Sequence, residues 1–212
     1  MLTSSPAGSM TGSMQDPIRL FRSAAGYQAV MESYQAGLRR LVVPYHPFLV
    51  VTRFGDTHGI AAGPPGGRAI LLLHGWNTSA PGWWPQINDL ALRYRVYAPD
   101  TIGQGGKSAP CRPSPRGPAY GQWAADVAAG LGLQQANWVG SSGGAWLILK
   151  LAEHAPERIR SAALISPAGI TPVRLGFLLR AVAAGMLRPT AATPRRLARL
   201  VSRQECKSCR RQ

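Results

Sequence analysis

The sequence predicts an α/β protein: a mostly parallel sheet with helices on both faces. Three observations predict it. Ala69-Ile70-Leu71-Leu72-Leu73 is an unbroken apolar run, the mark of a strand buried on both faces of a sheet. From there on, strand-like segments alternate with segments of helical spacing, which implies parallel strands joined by crossover helices. Finally, His74, Asp100 and Ser142 each follow directly on a strand-like segment, and ligands in open α/β sheets bind at those carboxyl ends.

Residues 1–16, rich in Ser, Gly, Thr and Met, are expected to be a disordered tail. They lack the basic region followed by an apolar one that marks a secretory signal, so a cytoplasmic location is expected. The core is expected over residues 17–170. Ile18, Leu20, Phe21, Val30, Tyr34 and Leu38 recur at helical spacing, which predicts one or two helices over residues 17–41. Residues 48–52 and 58–62 look like a hairpin around Gly55-Asp56. Gly63-Pro64-Pro65-Gly66-Gly67 is a turn, and the Ala69 strand leads into His74-Gly75-Trp76.

A helix is expected over residues 84–92. Arg95-Val96-Tyr97-Ala98-Pro99 is the next strand, ending at Asp100, and a long loop runs over residues 101–118. Residues 120–133 form a helix, Trp138-Val139 closes a strand, and another helix starts at Gly143 and reaches His154. Ala162-Ala163-Leu164-Ile165 is one more strand. Residues 171–194 open like a cap or lid, and residues 195–212 form a basic, patternless tail.

At 212 residues the chain is long enough for one domain with a real core. Hydrophobic residues make up 45% and charged residues 16%, which excludes a disordered chain. No apolar run reaches the ~18 residues of a membrane span. The net charge of +15 raises nucleic acid or an anionic surface as a partner. The arginines are scattered, however, and Arg174, Arg180, Arg188, Arg195, Arg196, Arg199, Arg203, Arg210 and Arg211 face only Glu205. No specific nucleic-acid binding is expected. Cys111, Cys206 and Cys209 make no disulfide framework. The single C-x-x-C has no second ligand pair for zinc, so neither metal nor cofactor is expected.

The chemistry lies in Gly140-Ser141-Ser142-Gly143-Gly144. This is G-x-S-x-G between a strand and a helix, the context of a nucleophile elbow. Centring the pattern on Ser141 would need glycine at Val139, so the nucleophile is Ser142. Gly106-Lys107-Ser108 mimics the end of a phosphate loop, but Thr101 stands where that motif needs its first glycine. Trp76, Trp83 and Trp84 are candidates for an acyl pocket, or for packing alone.

Four motifs in order resemble the α/β-hydrolase fold family over residues 52–169. Leu73-His74-Gly75-Trp76 resembles its His-Gly oxyanion segment. Asp100-Thr101-Ile102-Gly103 through Gly106-Lys107-Ser108-Ala109-Pro110 resembles its D-x-x-G…G-x-S loop. Gly140 to Gly144 is the elbow, and Pro156-Glu157-Arg158-Ile159 resembles its P-E-R-[VI] segment. The resemblance implies a serine hydrolase of a small ester or other acyl compound. Ser142 would attack a carbonyl and form an acyl-enzyme. The backbone N–H groups of Gly143 and Trp76 would hold the oxyanion. His74, Gly75 and Asp100 are expected at the substrate site, with His74 shaping its turn and Asp100 ordering its loop.

The family order is Ser, then Asp or Glu, then His. His46, His58 and His74 precede Ser142. His154 lies twelve residues after it on the same helix, roughly 18 Å along the axis. The later acids are Glu153, Glu157 and Glu205. The triad acid and histidine are therefore missing, and the resemblance implies a fold whose last strands are missing too, as in a truncated chain. Two other readings stand beside the hydrolase: a catalytically inactive pseudoenzyme or binding fragment, and a basic chain held by nucleic acid or a membrane surface. The residue 162–166 strand would become a sheet edge, with self-association the expected result.

Overall fold

The computed structural model describes residues 20, 21, 23–170 and 176, and the elements below all belong to the compact unit that ends at Ala168. The expected N-terminal tail, the lid segment apart from residue 176, the basic tail and the C-x-x-C lie outside the described residues.

Helix α1 (Ala24–Leu38) starts at Ser23, whose hydroxyl accepts the N–H of Gly26 at 3.1 Å, an N-cap that satisfies a free helix donor. One described helix therefore stands where one or two are expected. Strands β1 (Tyr45–Thr52) and β2 (Gly55–Ala62) pair antiparallel along their whole length, Tyr45 opposite Ala62 and Thr52 opposite Gly55. The turn is Arg53-Phe54, not Gly55-Asp56. Gly55 instead leaves the turn at φ 108°, a conformation glycine adopts without strain. The Thr52 hydroxyl donates to the Gly55 carbonyl at 2.6 Å and closes the corner.

Next come β3 (Ala69–Leu73), α2 (Trp84–Leu90), β4 (Arg95–Pro99), α3 (Ala119–Gly130), β5 (Ala136–Ser141), α4 (Gly143–His154) and β6 (Ile159–Ile165). A 3₁₀ turn over Ala80–Trp83 precedes α2. The sheet runs β1-β2-β4-β3-β5-β6. β4, β3, β5 and β6 are parallel, and the β1–β2 hairpin joins β4 antiparallel.

Strand β3 shows why the sheet is covered twice. Leu71 and Leu73 pack with Trp123, Val127, Leu147 and Leu151 of α3 and α4. Ile70 and Leu72 point the other way, to Trp83, Ile87 and Ala91. Each such buried side chain contributes roughly 1.5–3 kcal/mol. Within the larger cluster Trp123 also donates its indole N–H to the Thr57 hydroxyl at 2.8 Å, so a wholly buried polar atom is satisfied. Strand β6 pairs only with β5 among the described residues, and Leu164 and Ile165 are 37% and 48% exposed. The carboxyl ends of β3, β4 and β5 bring His74, Asp100 and Ser142 to one end of the sheet.

Candidate active site

Ser142 sits between β5 and α4 at φ 51° and ψ −110°, a conformation unusual for a residue with a side chain. The surroundings hold it there. The Ser142 N–H donates to the Ile165 carbonyl at 2.9 Å, and the Ser142 carbonyl accepts from Trp146 and Ala168, each at 3.1 Å. The flanking glycines make room for the turn. A Cβ at Gly140 would strike the backbone of Gly144 and Ala145, and one at Gly144 would strike the Leu73 carbonyl. Tight strand-to-helix reversal is what presents a serine hydroxyl at an elbow. Ser142 lines a cavity of about 380 Å³ together with His74, Gly75, Trp76, Trp83 and Gln86.

The loop after β3 lies beside it. A Cβ on Gly75 would sit 3.5 Å from Ser142 Cβ. The Trp76 indole covers Gly143 and is itself packed by Tyr120 and Trp146, with ring centroids 6.1 and 5.8 Å away. Asn77 turns the loop at φ 61°, and its N–H donates to Gln104 Oε1 at 3.1 Å. Among the described residues neither the Trp76 nor the Gly143 N–H has a hydrogen-bond partner. Trp76 lines that cavity, Gly143 follows Ser142 as the first residue of α4, and the N-terminal end of α4 carries a positive partial charge.

His74 lies inside this loop, 3% exposed. Its Nε2 accepts the Thr101 N–H at 3.0 Å, so the ring proton is on Nδ1, 2.9 Å from the Gly75 carbonyl it donates to. Burial pushes the imidazole below its ordinary value, although the Asp100 charge and the Gly75 bond oppose that. His74 is thus a neutral brace between the ends of β3 and β4.

Asp100, expected at the substrate site, is 0% exposed and has no surface to offer a ligand. Its Oδ2 accepts the Tyr34 hydroxyl at 2.9 Å and the Lys107 N–H at 3.1 Å, with His58 Nδ1 at 3.2 Å. Its Oδ1 accepts the Ala80 N–H at 2.8 Å. Burial raises this carboxyl, but the His58 bond and the two backbone N–H groups oppose it, and Asp100 ends below the usual carboxylate range. Burial first, and then Asp100, push the Tyr34 phenol far upward, so it remains a donor. Ser108 completes the clamp by donating to the Asp100 carbonyl at 2.6 Å. Tyr34, His58 and Gln104 have no motif of their own to mark them. They are found only through the residues they hold.

None of the four histidines reaches Ser142. His74 is committed as described. His58 is on β2, three strand spacings from β5, or about 14 Å. His46 is one strand further out, on β1. His154 ends α4, roughly 18 Å from its start. Of the later acids, Glu153 pairs with Lys150 at 2.7 Å and Glu157 follows α4 in a 3₁₀ turn. Glu205 is outside the described residues.

Comparison with known proteins agrees with the fold. Residues 68–195 match the family described as alpha/beta hydrolase fold. The uncharacterized carboxylesterase nap of Bacillus subtilis (strain 168) is 38% identical over 137 residues, 65% of this chain and 46% of that one. Carboxylesterase YbfK of the same organism is 37% identical over equal shares. The crystal structure of naproxen esterase (carboxylesterase NP) from Bacillus subtilis superposes with a TM-score of 0.72 and 31% identity, over 84% of this chain and 61% of that one. The chain spans about half the length of the two sequence relatives.

Proposed function

The chain belongs to the alpha/beta hydrolase fold family, and on that premise we propose that it carries the acyl-transfer site of a carboxylesterase-type serine hydrolase. Ser142 Oγ attacks the carbonyl carbon of a small ester or related acyl compound. The oxyanion that forms is received by the N–H groups of Gly143 and Trp76. The alcohol leaves, and water then releases the acid from the acylated serine. His74 and Gly75 support this site as wall and brace, and Asp100 holds its loop from inside.

The observation that carries this reading is the strained Ser142 backbone on a cavity wall, next in the fold to the Gly143 and Trp76 N–H groups, which have no partner among the described residues. Strain of this kind is kept where the surroundings enforce it and function uses it. The carboxylesterase relatives support the reaction class. Triad turnover also needs a histidine base oriented by a carboxylate, and no described residue is in place for either role.

That same observation favours a second reading, a catalytically inactive member that keeps the pocket and binds. Labelling with a phosphonofluoridate, with imidazole supplied as the base, separates the two. Selective modification of Ser142, located by peptide mass spectrometry and absent in urea, is the result expected of an acyl-transfer site. Labelling no faster than that of other serines would leave the binder.

A further inference from the structure

A second cavity adjoins the one at Ser142. It encloses about 670 Å³, within the range that holds drug-sized ligands. The two share Thr78 and Gly82 in their walls, so they lie side by side. On its far side the second cavity is bounded by α1, through Val30, Ala36 and Gly37.

Its lining combines an apolar body with two guanidinium groups. Phe21, Val30, Pro81 and Trp84 supply the apolar surface, and Arg40 and Arg112 the charge. No Asp or Glu is among the described lining residues. Both arginines are held from behind. The Arg40 guanidinium lies over the Trp84 ring, 5.4 Å from its centroid. Arg112 uses Nε to donate to the Gly103 carbonyl at 3.0 Å. Neither pairs with an acid among the described residues. A guanidinium anchored in this way keeps terminal N–H groups for a planar anion.

We propose that this second cavity receives the non-reacting end of the Ser142 substrate, and that this end is an apolar group carrying a carboxylate bound by Arg40 and Arg112. The inference rests on the acyl-transfer reading of Ser142 and adds a substrate class to it: esters whose remote end is anionic. Ser33, Thr78 and Ser79 in the same lining supply further donors for it.

The test uses two p-nitrophenyl phosphonates on the full chain, with imidazole supplied as the base. One bears a terminal phenylbutyrate-type carboxylate and the other the matching carboxamide. The carboxylate is expected to label Ser142 about tenfold faster, the scale of one charge-assisted contact at a partly exposed site. The Arg40→Met, Arg112→Met double variant should lose that advantage while the carboxamide rate stays within about twofold, which also reports that the site is still folded. The Arg40→Lys, Arg112→Lys variant should keep a preference for the anion. Equal rates for the two probes, or a preference that survives the methionine variant, would overturn the anion site and leave Ser142 chemistry standing. If neither probe labels Ser142, the acyl-transfer reading fails instead. Binding of free 4-phenylbutyrate against 4-phenylbutyramide, followed by tryptophan fluorescence, then decides the anion site alone by the same comparison.

Discussion

The Trp76 indole lies on Gly143 so closely that a methyl group at position 143 would fall among ring atoms Cγ, Cδ2 and Cε2. One contact therefore sets both proposed oxyanion donors. Gly143→Ala should push the indole aside against Tyr120 and Trp146, costing about 2 kcal/mol of overpacking and slowing Ser142 labelling. Gly144→Ala is expected to cost more, about 4 kcal/mol, because its Cβ meets the Leu73 carbonyl and backbone cannot yield as a side chain does. Urea unfolding of the two variants checks the order.

Asp100 gathers α1, β2 and the loop after β4 through Tyr34, His58 and Lys107. Asp100→Asn should destabilise the fold by roughly 3 kcal/mol, the scale of breaking a buried charged network. Tyr34→Phe should cost about 1–2 kcal/mol for one lost donor. The Asp100 carboxyl is depressed in the folded state. Its stabilisation is therefore complete above the ordinary carboxylate value and is lost as pH falls from there toward the folded value. Asp100→Asn should remove that part of the acid-unfolding slope, measured by urea titrations between pH 6 and 2.

His74 gives a separate pH signature. Its imidazole is depressed by burial, so the folded state binds fewer protons than the unfolded one. Stability from this group is full above the ordinary imidazole value of about 6.5 and declines as pH falls from there toward the folded value. His74→Gln should lower stability at pH 8 and flatten the fall of Tm between pH 7 and 5. An unchanged slope would mean that His74 is not the buried neutral group.

The β6 edge exposes Leu164 and Ile165, and an open strand edge invites pairing with another chain. Sedimentation of the chain should show concentration-dependent association, reduced by Leu164→Lys. A monomer at all concentrations would remove the edge as an interface.

The parts of this fold that could be seen in the sequence were those with a local cause. β3 has the predicted bounds because a strand buried twice is a continuous apolar run. α4 has them because the elbow glycines fix its start and Pro156 follows its end. The hairpin turn was misplaced by two residues because Gly55 marks the exit from the turn, and glycine alone does not say which side of a turn it serves. The wholly buried state of Asp100 was hidden because its partners Tyr34 and His58 come from 66 and 42 residues away. The three tryptophans divide between two cavities: Trp76 and Trp83 border Ser142, while Trp84 lies beside Arg40 in the second. No spacing along the chain shows that division.

The proposed site pairs a competent nucleophile and oxyanion loop with no histidine of the chain in reach. Hydrolysis of p-nitrophenyl butyrate by the purified chain, with and without added imidazole and with Ser142→Ala as control, tests it most directly. The expected result is no Ser142-dependent rate in buffer and a Ser142-dependent rate when imidazole supplies the base. Turnover in buffer that Ser142→Ala abolishes would contradict the missing base, and no Ser142-dependent rate under either condition would contradict the nucleophile.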